Sequence, residues 1–124
     1  MTISEFDRNQ FISLATFRKS GVEVKTPVWF AAMGEKLYVF TAGNSGKVKR
    51  LRNSSRARIA PCSARGSVKG EWRDATARIV DDAALTARAH KTLRAKYGWL
   101  MAMTDFGATV AGRVRSRVYL EIDY

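Results

Sequence analysis

The sequence predicts a mainly β fold: a small antiparallel barrel of six strands, with a short helix between the third and fourth strands and a longer one before the last. Three observations predict it. About six stretches alternate apolar and polar residues at strand period, while only a few segments show helical spacing. The strands do not alternate with helices, which excludes a doubly wound parallel sheet. Antiparallel strands in a chain of 124 residues have few ways to hide their edges other than closing on themselves. One domain is expected at this length.

The elements follow in order. Ser4 to Phe11 reads as a short helix capped by Ser4, with Glu5 and Asp7 at the positive end of the dipole and Phe6, Phe11 and Ile12 available for packing. Ile12 to Arg18 suits a strand through Leu14, Thr16 and Phe17, and Ser20-Gly21 suits a turn. Val24 to Ala32 is the second strand. It puts Val24, Thr26, Val28 and Phe30 on one face and Lys25, Pro27 and Trp29 on the other. Pro27 has no N–H for a ladder, so this strand is an edge or is interrupted there, and either leaves backbone groups free for a ligand. Gly34-Glu35 turns the chain into a third strand, Lys36 to Thr41.

A loop, Ala42 to Gly46, leads to a helix over Lys47 to Asn53. Ser45 is its N-cap, and Val48 and Leu51 face inward. Arg56 to Pro61 is the fourth strand, Ser63 to Gly70 a turn, and Trp72 to Val80 the fifth strand, with Ala75, Ala77 and Ile79 on one face. The longest helix begins at Asp81-Asp82 and buries Leu85, Ala89, Leu93 and Tyr97 before stopping at Gly98. Trp99, Leu100, Met101 and Met103 form an apolar patch. The last strand, Arg113 to Asp123, sets Val114, Val118, Leu120 and Ile122 against Arg115, Arg117, Tyr119 and Glu121.

Composition narrows the function. With 46% hydrophobic and 27% charged residues the chain is globular rather than disordered. No run of about 18 apolar residues predicts a membrane span. The N-terminal residues do not read as a secretory signal. One cysteine, Cys62, and one histidine, His90, exclude an intramolecular disulfide, a multi-cysteine metal site and a two-histidine zinc site; no metal and a reducing cytoplasm are expected. The net charge is +11, and Lys36 to Gly70 carries nine Lys/Arg and no acid. That field suits a phosphate-bearing small molecule, a polyacidic tail or a nucleic-acid backbone. No exposed aromatic row is interleaved with those charges, which argues against nucleic acid.

The chemistry is concentrated in Thr41-Ala-Gly-Asn-Ser-Gly-Lys-Val-Lys-Arg50. A strand ends, a small-residue loop follows, and a helix begins. Free amides at a helix start bind phosphate, Gly43 and Gly46 allow close approach, and Lys47, Lys49 and Arg50 add side-chain charge. The spacing is neither a Walker A motif nor a dinucleotide fingerprint. A capped surface helix with solvated charges has the same local pattern.

The wider pattern is more specific. Thr26-Pro-Val-Trp-Phe30, Leu37-Tyr-Val-Phe-Thr41, Ser45-Gly-Lys-Val-Lys-Arg-Leu-Arg-Asn53, Ile59-Ala-Pro-Cys62 and Gly66 resemble the pyridoxamine 5′-phosphate oxidase-like split β-barrel oxidoreductases, closest to the branch that uses the deazaflavin coenzyme F-420. The resemblance implies an FMN-binding type of split barrel and a homodimer with cofactor sites at the subunit interface. It implies a cofactor phosphate held by Ser45, Gly46, Lys47, Lys49 and Arg50, and a ring lying along the Thr26-Pro27-Val28-Trp29 backbone, with Thr41 also among the cofactor-binding residues. It also implies hydride transfer from reduced coenzyme F-420 to an unsaturated organic substrate, with no side-chain acid or base required. The coenzyme's phosphodiester continues into a polyglutamate, which suits the acid-free stretch; Lys25, Arg56, Arg58 and Arg65 are candidates to meet it. An FMN oxidase or reductase of the same fold, and a non-catalytic protein binding a flavin-type cofactor, are the alternatives.

Other residues read more plainly. His90 reads as a helical histidine rather than a haem ligand, and Cys62 as a small buried hydrophobe. Trp99, Met101 and Met103 suit a core, a substrate mouth or a dimer seam, and Arg117 and Tyr119 either line the site or face outward.

Overall fold

In a computed structural model that describes residues 10–43, 45–98 and 117–124, alternation along the strands becomes two faces of one sheet. The elements are β1 (Phe11–Phe17), β2 (Glu23–Trp29), β3 (Ala31–Met33), β4 (Lys36–Ala42), α1 (Gly46–Asn53), β5 (Arg56–Cys62), β6 (Arg73–Ile79), α2 (Ala83–Tyr97) and β7 (Arg117–Asp123). All ladders are antiparallel, in the order β2-β1-β5-β6-β7-β4-β3.

Among the described residues seven strands replace the expected six, because the second strand breaks in two. The break falls at Phe30, not at Pro27. Its two halves are the two edges of the sheet. The sheet therefore curls, and the chain crosses from one edge to the other through Phe30, with no ladder joining β2 and β3 among the described residues. Pro27 sits within the edge strand β2, opposite Ser13, where its missing N–H costs nothing if it faces away from β1.

The bend has a chemical cause. The Phe30 N–H donates to the Tyr97 hydroxyl (2.9 Å). That hydroxyl in turn shares its proton between the carbonyls of Gln10 (2.6 Å) and Phe30 (2.9 Å). The backbone groups that leave the ladder are thus satisfied by the last residue of α2.

The barrel interior is filled by Ile12 and Leu14, Leu37 and Val39, Ala57 and Ile59, Ala75 and Ala77, and Leu120 and Ile122, with Phe30 and Leu51 completing the cluster. A second cluster lies outside the barrel, where Ala89, Leu93 and Tyr97 of α2 pack on Ala31, Tyr38 and Tyr119. Asp82 caps α2 by accepting from the Ala84 and Leu85 amides, and Gly98 (φ 60°) ends it in a conformation that disfavours a side chain. Phe11, expected in an N-terminal helix, instead opens β1 between Trp29 and Cys62. Gln10 is an exposed bend, and residues 4–9 of that helix, Asn44, the 99–103 patch and the start of the last strand lie outside the described residues.

Glu121, on the face it shares with Arg117 and Tyr119, is a buried carboxylate. It is 6% exposed and in register with Tyr38 on one side and Arg78 on the other. It accepts from the Tyr38 hydroxyl (2.6 Å), Arg78 Nε (2.7 Å) and Lys36 Nζ (3.4 Å). Burial pushes its carboxyl up, but these donors and the charges of Arg78 and Lys36 outweigh it and hold the carboxyl below its ordinary value. Burial, then the bond to Glu121, pushes Tyr38 up to about 12.

The signs give a testable profile. Glu121 is depressed, so its contribution is present above the ordinary carboxyl value of 4.5 and lost as pH falls through the folded value. Tyr38 is raised, so its contribution is complete below pH 10.0 and lost as pH climbs toward 12. Chemical denaturation across pH should show both limbs. Glu121→Gln should flatten the acid limb and move tyrosinate absorbance of one residue to lower pH. An acid limb identical to that of the parent protein would refute this account.

Candidate functional site

The loop after β4 turns into α1 because Ser45 takes an extended conformation and its side chain accepts from the Val48 amide (3.4 Å). Thr41 Oγ1 donates to Ser45 Oγ (3.4 Å), which ties the strand end to the cap. Val48 and Leu51 are buried, as their spacing predicts, and α1 packs on β6 and β1. This packing leaves the helix start and the flank carrying Lys47 and Arg50 partly exposed. The first turn contains no acid to oppose the dipole.

Arg50 folds back along the helix. Its Nε donates to Thr16 Oγ1 (2.6 Å) on β1, and its Nη1 lies where a Cβ on Gly46 would come within 2.7 Å. A side chain on Gly46 would therefore push the Arg50 guanidinium out of this position, while the backbone there needs no unusual angle. Lys47 stands beside it. Burial, and then the charge of Arg50, lowers the Lys47 ammonium from its ordinary value. Burial, and then Arg18, lowers the Arg50 guanidinium. Among the described residues neither cation has a carboxylate within ion-pair distance.

Two partly desolvated like charges side by side, at the positive end of a helix, form a site that an anion would stabilise. Thr41, Ser45, Gly46, Lys47 and Arg50 lie together at the start of α1. Lys49 is exposed and, at 100° per residue, projects away from Lys47.

The second predicted segment is adjacent. Thr26 pairs with Leu14 and Val24 with Thr16, so Thr26 lies diagonally from Thr16, which anchors Arg50. Thr26 Oγ1 is buried and has no hydrogen-bond partner among the described residues. Val28 packs on the barrel core. Trp29 points to the other face, where its ring stacks on Tyr97 (4.4 Å, 11°), so only its backbone is left for a ligand on the Thr26 side.

The outlying basic candidates are mostly engaged. Arg58 pairs with Glu23 (2.9 Å), as does Lys25 (3.6 Å), and both flank the Trp72 ring. Arg56 lies over Phe17 (4.0 Å), and Arg65 is exposed in its loop. Thr16 was not singled out by the sequence; only strand parity with Leu14 could have pointed to it. Cys62 is buried, and burial pushes its thiol up, away from nucleophile behaviour. His90 Nδ1 lies 2.7 Å from the Tyr119 hydroxyl, which is buried. Among the described residues no helix is long and apolar enough to cross a membrane.

No family model and no curated protein matches the sequence. Solved structures do match the fold. The heme storage protein HutZ from Vibrio cholerae is 15% identical, with 96% of this chain and 84% of that one covered at a TM-score of 0.72. A putative pyridoxamine 5′-phosphate oxidase from Listeria innocua is 12% identical over 94% and 85% of the two chains, at 0.62. The fold is the pyridoxamine 5′-phosphate oxidase-like split barrel. A protein described as an F420 reductase shares this split barrel, at 16% identity over 97% and 90% of the two chains and a TM-score of 0.61.

Proposed function

We propose that this split barrel is an oxidoreductase that binds coenzyme F-420 and uses its reduced form to pass hydride to an unsaturated organic substrate, working as a cytoplasmic homodimer with the cofactor at the subunit interface. The observation that carries the reading is the Lys47–Arg50 pair: two partly buried cations at an acid-free helix start, with no carboxylate partner among the described residues. The residues fit such a group. Lys47, Arg50 and the first amides of α1 suit a phosphate, Gly46 presents no side chain to it, and the buried Thr26 hydroxyl lacks a partner. The free edge of β2 offers backbone groups to the polar rim of a ring.

When bound, the cofactor supplies the hydride-carrying ring. The chain's own part is binding and orientation: Lys47 and Arg50 fix the anion, and Thr16 fixes Arg50. Thr26 and the β2 backbone set the angle at which a ring would lie. No side chain is assigned as acid or base.

FMN is the second reading, favoured by the resemblance to a putative pyridoxamine 5′-phosphate oxidase. The acid-free run from Lys36 to Gly70 favours the more highly charged coenzyme. Although HutZ is described as a heme storage protein, the one histidine of this chain is engaged with Tyr119. Titrating coenzyme F-420 and FMN side by side, with fluorescence as readout, tests the choice. Tighter binding of F-420 is expected, tighter FMN binding would move the assignment, and binding of neither would end it. Gly46→Ala is expected to displace the Arg50 guanidinium and weaken affinity about tenfold. It should leave thermal stability equal or slightly higher, since alanine favours the helix. Calorimetry and a circular-dichroism melt read the two effects separately.

A further inference from the structure

The cations at the start of α1 have a third neighbour. Arg50 is anchored on Thr16, and Arg18 follows two residues later, exposed just past the end of β1 where the hairpin with β2 begins to turn. A tight turn fixes its backbone: the Arg18 N–H donates to the Val22 carbonyl (2.9 Å), and the Gly21 N–H donates to the Arg18 carbonyl (2.8 Å). Arg50 feels this charge, since Arg18 is the influence that follows burial in lowering its guanidinium. Among the described residues Arg18 has no carboxylate within ion-pair distance. Nearby Arg56 is spent differently, lying over the Phe17 ring on the opposite face of β1.

Three like charges gathered without a counter-ion raise the free energy of the unliganded protein, and a single monoanion relieves only part of that. The buried Thr26 hydroxyl, diagonal to Thr16 on the same face, adds a polar group without a partner among the described residues.

We infer that Arg18 completes a two-anion site: Lys47 and Arg50 take the first anionic group of the ligand, and Arg18, at the β1–β2 turn, takes a second one adjacent to it. The inference rests on the anion-site reading of Lys47 and Arg50 given above. It makes Arg18 a specificity-determining residue that favours ligands whose phosphate carries a further anionic group over simple phosphomonoesters.

The test uses the whole protein and two probes, inorganic phosphate and inorganic pyrophosphate, titrated by calorimetry at low ionic strength. The parent protein should bind pyrophosphate more tightly. Arg18→Ala should lose about tenfold in pyrophosphate affinity and less than about twofold for phosphate. Arg18→Lys should recover most of the loss. Arg56→Ala, which removes the same charge from the other face, should change neither affinity by more than about twofold, excluding a general effect of net charge. Equal losses for both probes in Arg18→Ala, or no loss, would overturn the role of Arg18 while Arg50→Ala still weakens both. If Arg50→Ala also leaves both unchanged, the anion-site reading fails with it.

Discussion

The double variant Lys47→Ala/Arg50→Ala is expected to lose roughly 2–5 kcal/mol of cofactor affinity, the worth of two charge-assisted contacts. Stability should scarcely move. In the free protein these cations repel each other and make no ion pair among the described residues, so removing them relieves a cost. Against that stands the lost Arg50–Thr16 bond, about 1 kcal/mol. The two effects oppose each other, so the denaturation midpoint should stay near that of the parent while the dissociation constant rises at least tenfold. The single variants should not add up to the double, because each charge alters the other's environment. A dissociation constant unchanged in the double variant removes the phosphate site, and with it the proposed function.

The local geometry at the start of α1 was legible because its signals are local. Ser45, Gly46, Val48 and Leu51 each do what their spacing predicts, since capping and helical periodicity act within a few residues. The same holds for α2, from Asp82 to Gly98. The interior of the barrel was legible for a similar reason, because alternation alone puts Leu37, Val39, Leu120 and Ile122 on one side. What escaped the sequence depends on residues far apart in the chain. The alternation of Val24 to Ala32 runs through Phe30 without a break, so nothing local marks the bend. The alternation of the last strand gives Glu121 a face but no partners, because Tyr38 and Arg78 reach it from neighbouring strands. Thr16 reads as strand filler until α1 lays Arg50 across it.

The bend itself supplies the second large effect. Tyr97→Phe is expected to cost about 3 kcal/mol of stability, read as a lower midpoint in chemical denaturation. The variant keeps the ring, and so the stack on Trp29 and the packing under α2. It deletes only the hydroxyl, which serves the Phe30 N–H, the Phe30 carbonyl and the Gln10 carbonyl. Phe30 is fully buried, so its orphaned groups have no easy route to water, and each unmet group costs about 1–3 kcal/mol. Hydrogen exchange separates this mechanism from a general loss of packing. The Phe30 amide should exchange much faster in the variant, while amides at the centre of β5 keep their protection relative to global unfolding. Because Phe30 also joins β2 to β3, loosening it frees the edge strand that carries Thr26. Cofactor affinity should then fall although no residue at the start of α1 has changed. A stability loss below about 1 kcal/mol, with Phe30 still protected, would mean that something other than this hydroxyl holds the two halves of the strand apart.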